Sequence, residues 1–214
     1  MNIIMMRKFK TDRSSQSLII LFTIATALGF LTIESYGDNE VEINEKTGVV
    51  TSKGNPITLL GDELKVGDKA REFTVTGNDM SPVRLDDFKD KIILITTVPS
   101  LDTPLCEAET KRFNEEATGL SDEVVVLTIS MDLPFAQKRW CGAAGVDNVI
   151  TLSDYRNADF GKSYGVLIKE NRLLARTVFV IDKDGIIRYI EIVEDTSNEP
   201  DYDKAIGAVK GLAD

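Results

Sequence analysis

With 214 residues, 43% of them apolar, the chain has material for one compact domain and a short appendage. Thirty-five acidic against 25 basic residues give a net charge of −10, and no basic stripe with interleaved aromatics interrupts it, which speaks against a nucleic-acid partner. The chain has no histidine, so Ser–His and Cys–His nucleophile pairs and histidine metal sites are excluded.

The N-terminus differs from the rest. Arg7, Lys8, Lys10 and Arg13 precede an uncharged run from Leu18 to Ile33, the build of an export signal, and Ser35-Tyr36-Gly37 offers a cleavage site. A run of this length is short of the about 20 residues of a membrane span, but an uncleaved anchor at residues 18–33 is the competing reading. The expected organisation is a signal peptide or anchor at residues 1–37, a flexible lead-in at 38–47 and one folded domain at 48–214. Export, to a periplasmic location, would deepen the net charge to −12 by removing four basic and two acidic side chains. The mature body then has no membrane contact unless the segment is retained.

Two short apolar runs between Val49 and Leu60, around Lys53-Gly54-Asn55-Pro56, predict a β-hairpin. Phe73–Thr76 and Val83–Leu85 are short strand candidates on either side of the turn-rich Gly77–Pro82. Lys91–Thr97 and Val124–Ile129 are β-branched runs with the look of buried strands. A helix follows each. The first has Leu105, Ala108, Phe113 and Ala117 on one face, with Glu107, Glu109, Lys111 and Glu115 elsewhere; the second opens at Pro134 and carries Cys141. Val149–Leu152, a short helix at Ala158–Tyr164, Thr177–Ile181, the turn Asp182–Gly185, Ile186–Val193 and an amphipathic helix at Tyr202–Leu212 complete an alternation that indicates a helix-covered mixed sheet.

Cys106 falls in the first turn of a helix that follows a buried strand. A helix N-terminus offers unpaired N–H groups and about half a positive charge, so it favours an anion, and the thiolate is the nucleophilic form of cysteine. Thr103 can supply a hydroxyl, and Pro99 and Pro104 restrict the loop. With no histidine, activation has to come from backbone dipoles, hydroxyls or guanidinium groups.

The run Pro99-Ser100-Leu101-Asp102-Thr103-Pro104-Leu105-Cys106 resembles the peroxidatic signature of peroxiredoxins, in particular the thiol peroxidase branch of atypical two-cysteine enzymes. Ser130–Ala136, Arg139–Gly142, Ser153–Arg156, Tyr164–Val166 and Glu199–Tyr202 are similar to that branch in order and approximate spacing, from about Gly48 onward. Arg71 departs from it, standing where the family carries proline. The resemblance implies a thioredoxin-like α/β fold, a central mixed sheet flanked by helices, with an N-terminal β-hairpin extension. It implies a thiol-dependent peroxidase that uses no metal or cofactor, reduces hydrogen peroxide or organic hydroperoxides, forms a homodimer and is reset by a thioredoxin-like dithiol protein. On it, Cys106 is the peroxidatic cysteine, Cys141 the resolving one in an intramolecular disulfide, and Arg176 the guanidinium beside the thiolate, with Thr103 and Pro99 completing the site. Two other readings stay open: a non-catalytic thioredoxin-like binding protein held by a structural disulfide, and a redox sensor or thiol oxidoreductase that passes oxidation to a client.

Overall fold

The computed structural model describes residues 43–213; the segment at 1–37 and the first half of the lead-in lie outside them. In chain order the strands are β1 (Glu45–Ser52), β2 (Asn55–Leu60), β3 (Thr74–Thr76), β4 (Pro82–Arg84), β5 (Ile92–Thr97), β6 (Val124–Ser130), β7 (Ile150–Ser153), β8 (Leu167–Ile168), β9 (Thr177–Ile181) and β10 (Ile187–Ile192). The α-helices are α1 (Pro104–Ala117), α2 (Pro134–Ala144), α3 (Asp159–Ser163) and α4 (Tyr202–Ala213).

All six residues of β5 are buried, as its β-branched sequence requires of a strand covered on both faces. It lies in a seven-stranded sheet of order β10–β9–β5–β6–β7–β3–β4. β5, β6 and β7 run parallel, whereas β9 is antiparallel to β5 and β3 to β7. Parallel neighbours need crossovers, and α1 and α2 supply the two in this sheet. Both helices pack on one face, where Ile92, Leu94, Val126, Val178 and Val180 meet Phe113 of α1, Trp140 of α2 and Ile206 and Val209 of α4. The opposite face buries Ile93, Ile95, Leu127, Ile129, Phe160, Tyr164 and Phe179. This is the thioredoxin-like arrangement expected from the sequence.

The hairpin of β1 and β2 pairs with β8 in a second, three-stranded sheet. β1 begins earlier than the hairpin's apolar runs suggest. Glu45 pairs with Leu60, and an irregularity between Thr47 and Val50, where Gly48 takes φ +82°, carries the pairing across. Residues 45–47 therefore belong to a strand rather than to a flexible lead-in. β8, only two residues long, was not expected at all; it exists because Leu59 and Leu60 offer it an edge.

Candidate active site

Cys106 is the third residue of α1, behind the cap Thr103 and the first-turn proline Pro104. Its side chain is 1% exposed and packs with Val98, Leu101 and Trp140. Arg176 stands just ahead of β9, itself 1% exposed, and its Nη2 donates to Cys106 Sγ at 3.4 Å. The guanidinium is held from two further sides. Nη1 pairs with the Glu109 carboxylate, and Nε and Nη2 donate to the Thr196 carbonyl at 3.3 and 3.2 Å. Burial opposes the charge on Arg176, yet Glu109 and Cys106 beside it raise its affinity for the proton above the usual value.

Glu109 is fully buried, and this corrects the helical face assigned from the sequence. The inward face of α1 is Cys106, Glu109, Thr110 and Phe113, at spacings of three, four and seven, while Ala108 is exposed and Leu105 half-buried. A carboxylate one turn after the reactive cysteine reads as a solvated charge when only polarity is considered. The signal that would have placed it inside is its spacing to Cys106 and Phe113. Thr96 Oγ1 donates to the second Glu109 oxygen at 2.5 Å. Burial pushes the Glu109 carboxyl up to about 7, against the opposing pull of Arg176 and Thr96.

The Thr196 carbonyl is itself anchored from afar. Thr196 N donates to Thr51 O at 2.9 Å, and Asp195 accepts from Thr51 Oγ1 and Gly54 N, both at 2.8 Å. The N-terminal hairpin thus clasps the loop whose backbone orients Arg176.

Thr103 sits exposed at the helix cap, where its hydroxyl donates to the Ser100 carbonyl at 3.1 Å and its own carbonyl accepts from Glu107 N. Pro99 lies half-buried on the loop between β5 and α1. That loop is fixed by Asp132, which accepts from Ser100 Oγ at 2.7 Å and from Leu101 N and Ser130 Oγ, each at 2.8 Å. Asp132 opens the segment that leads into α2, so one carboxylate joins the Cys106 loop to the root of the Cys141 helix. Nothing in the sequence marked it, since the three donors converge only after β5 and β6 pair. Arg71 also gains a structural place: its Nη1 donates to Ser163 O at 2.8 Å and tethers the loop.

Cys141 is half-buried on α2 and is not with the other predicted residues. Its Sγ lies 3.2 Å from Thr151 Oγ1 of β7, and burial raises its thiol above the usual range. Both cysteines are free thiols. The structure therefore brings Arg176 onto Cys106, sets Thr103 at the cap of the same helix and Pro99 on the loop before it, adds Glu109, and leaves Cys141 on the next helix against Thr151. An open groove lined by Thr103, Pro104, Glu107, Ala108 and Lys111 runs over the first turns of α1.

A buried cysteine at a helix N-terminus, contacted by a buried arginine just ahead of the neighbouring antiparallel strand of a thioredoxin-like sheet, defines a class, and sequence comparison agrees: residues 65–206 match Redoxin, and the chain belongs to that family. Within it the chain groups with the thiol peroxidases. It is 60% identical over 161 residues to the thiol peroxidase of Halalkalibacterium halodurans, covering 75% of this chain and 96% of that one. Over 163 residues it is 55% identical to the thiol peroxidase of Bacillus subtilis, at 76% and 97% coverage. Among solved structures, a peroxiredoxin-like protein from Aquifex aeolicus superposes with a TM-score of 0.73 at 48% identity, over 80% of this chain and 99% of that one. A thiol peroxidase from Chromobacterium violaceum, at 23% identity and a TM-score of 0.68 over 76% and 95% of the two chains, shares the fold.

Proposed function

We propose that Cys106 is the peroxidatic and Cys141 the resolving cysteine of a thiol-dependent peroxidase. The observation that carries this is the 3.4 Å contact between the Arg176 guanidinium and the Cys106 sulfur at the start of α1. A fixed cation and a helix N-terminus both favour a thiolate over a thiol. The thiolate attacks the terminal oxygen of a hydroperoxide, an S–O bond forms as the O–O bond breaks, and the departing alkoxide takes a proton to become an alcohol. Arg176 keeps its charge throughout and can stabilise the negative charge passing from sulfur to oxygen. Thr103, exposed three residues ahead of Cys106, supplies a hydroxyl for the incoming peroxide on this reading. Pro99 keeps the loop in shape.

Cys106 is left as a sulfenic acid. The Cys141 thiolate attacks its sulfur, a disulfide forms and hydroxide leaves, to be protonated to water. A disulfide needs Cα atoms within about 7 Å, and on this reading Cys141 leaves Thr151 and the end of α2 detaches to make the bond. An external dithiol, of thioredoxin-like type, then reduces the disulfide by exchange and is itself oxidised.

Hydroperoxide consumption with a dithiol reductant tests this reading. Cys106→Ser abolishes turnover, whereas Cys141→Ser still oxidises Cys106 but loses recycling through the disulfide. Equal, negligible consumption by these and the unaltered protein would favour the binding-protein reading, and oxidation passed to another protein without turnover would favour the sensor.

We further propose a homodimer and export directed by residues 1–37. Leu133 and Phe135 at the start of α2 are 53% and 66% exposed, an apolar pair that supports an interface. Sedimentation of the Phe135→Glu variant tests the first, and the mass of the mature N-terminus the second.

A further inference from the structure

The sheet face beneath α1 and α2 changes character along its length. Ile92, Leu94 and Val126 fill its lower part, but one row higher Thr96, Thr128 and Thr151 stand side by side, since Thr96 pairs with Thr128 and Thr128 with Thr151 in the parallel ladder. Paired residues of adjacent strands point to the same face, so the three hydroxyls form one buried row. Its two ends are occupied. Thr96 donates to Glu109 of α1, and Thr151 meets Cys141 of α2 while accepting from Asn78 Nδ2 at 2.8 Å. The middle hydroxyl, on Thr128, is fully buried and has no partner.

The next row continues the pattern. Ser130 pairs with Ser153, and Gln137 of α2 donates to Ser130 Oγ and Leu152 O, both at 2.9 Å. Among the described residues, three buried side-chain atoms lack a hydrogen-bond partner: Asn78 Oδ1, Thr128 Oγ1 and Gln137 Oε1. One belongs to α2, one to the residue that bonds Thr151, and one to the hydroxyl beside Thr151. The only fully buried residues of α2 are Pro134 and Gln137. The helix that carries Cys141 therefore rests on a polar seam with incomplete pairing, and each orphaned group regains water when the helix lifts.

We propose that Thr128, by burying an unpaired hydroxyl in the middle of this row, is a positioning residue that sets how fast Cys141 reaches oxidised Cys106. The inference rests on the two-cysteine cycle described above. Detachment competes with a second oxidation, in which the Cys106 sulfenic acid reacts with another hydroperoxide to give a sulfinic acid and an alcohol. The seam thus decides how much peroxide the protein tolerates before it is inactivated.

Thr128→Val keeps the volume and removes the orphan, so detachment exposes a methyl group instead of relieving a hydroxyl. Thr128→Ser keeps the hydroxyl and serves as the conservative control. Trp140, the only tryptophan in the chain, packs against the Cys106 cluster next to Cys141 and reports both steps by fluorescence after rapid mixing with hydrogen peroxide. The expected result is an unchanged first phase and a second phase slowed about tenfold in Thr128→Val, a ratio on the scale of one unpaired buried hydroxyl. More sulfinic acid should appear on Cys106 by mass spectrometry at excess peroxide, and Thr128→Ser should behave like the unaltered protein. A second phase of equal or greater speed in Thr128→Val would overturn the proposal, as would equal slowing in Thr128→Ser or a first phase slowed by the same factor. If the unaltered protein forms no Cys106–Cys141 disulfide on peptide mapping, the two-cysteine cycle itself fails and takes the proposal with it.

Discussion

Helices α1 and α2 cover the same sheet face and each carries one of the two cysteines, yet they are held by opposite means. α1 drives Phe113 into the apolar cluster and fastens its polar residues completely, with Glu109 bonded at both oxygens and Thr110 Oγ1 donating to Cys106 O at 2.9 Å. α2 adds only half-buried Trp140 and Ala144 to that cluster and leaves the Gln137 Oε1 atom unpaired. Tight packing and full pairing fix a reacting group in place, while loose, imperfectly paired contact leaves a group free to travel. The difference teaches that one fold can fasten one cysteine tightly and the other loosely on adjacent crossovers, as the proposed cycle requires.

The contrast can be broken most severely at Arg176. Arg176→Met should slow the first oxidation step by about 100- to 1,000-fold, the scale of removing a fixed charge from a developing anion, measured as the fast fluorescence phase. It should also lower stability by about 3–5 kcal/mol in urea unfolding, because Glu109 is left buried without its cation. Phe113→Ala removes the apolar anchor of α1 and should cost about 3–5 kcal/mol, making the rigid helix loose. The same measurement on Ala144→Gly in α2 should give about 1 kcal/mol, mostly from helix propensity.

Glu109→Gln probes the polar fastening of α1 and carries a pH signature. A buried carboxyl raised from 4.5 to about 7 binds its proton more tightly in the folded state than in the unfolded one. Stability is therefore fully supported below pH 4.5 and falls as pH rises toward about 7, the direction linkage requires when the native state holds the extra proton. Glu109→Gln should flatten that part of the stability profile and lower the first oxidation rate about tenfold by loosening Arg176. The smallest effect is expected at Thr103, whose hydroxyl bonds Ser100 O rather than capping α1. Thr103→Ala should change stability by no more than about 1 kcal/mol, below the usual loss of a capping hydroxyl, so any larger loss of peroxidase rate would belong to the chemistry.

Much of this was legible in the residues. The runs that became β5, β6 and β9 were recognisable because a strand buried on both faces is continuously apolar and β-branched, and Pro134 marked where α2 begins. Cys106 at a helix N-terminus and Arg176 ahead of β9 followed from local order and from the family's pattern. What stayed hidden depends on contacts distant in sequence. Glu109 looks like a surface charge until Arg176, 67 residues later, is packed against it. The threonine row exists only through strand register, and the Asp132 hub only through the meeting of two loops. β8 has no periodicity to read, being two residues that complete an edge.

The anchoring of Arg176 by Thr196, and of the Thr196 loop by the β1–β2 hairpin, has a consequence for how the protein is made. Cys106 leaves the ribosome 70 residues ahead of Arg176, and the Asp195 clasp emerges later still. A nascent chain therefore carries its sulfur without the cation that stands beside it in the folded protein. On the proposed mechanism, reactivity toward oxidants awaits delivery of the chain as far as Thr196 and closure of the β1–β2 hairpin over that loop.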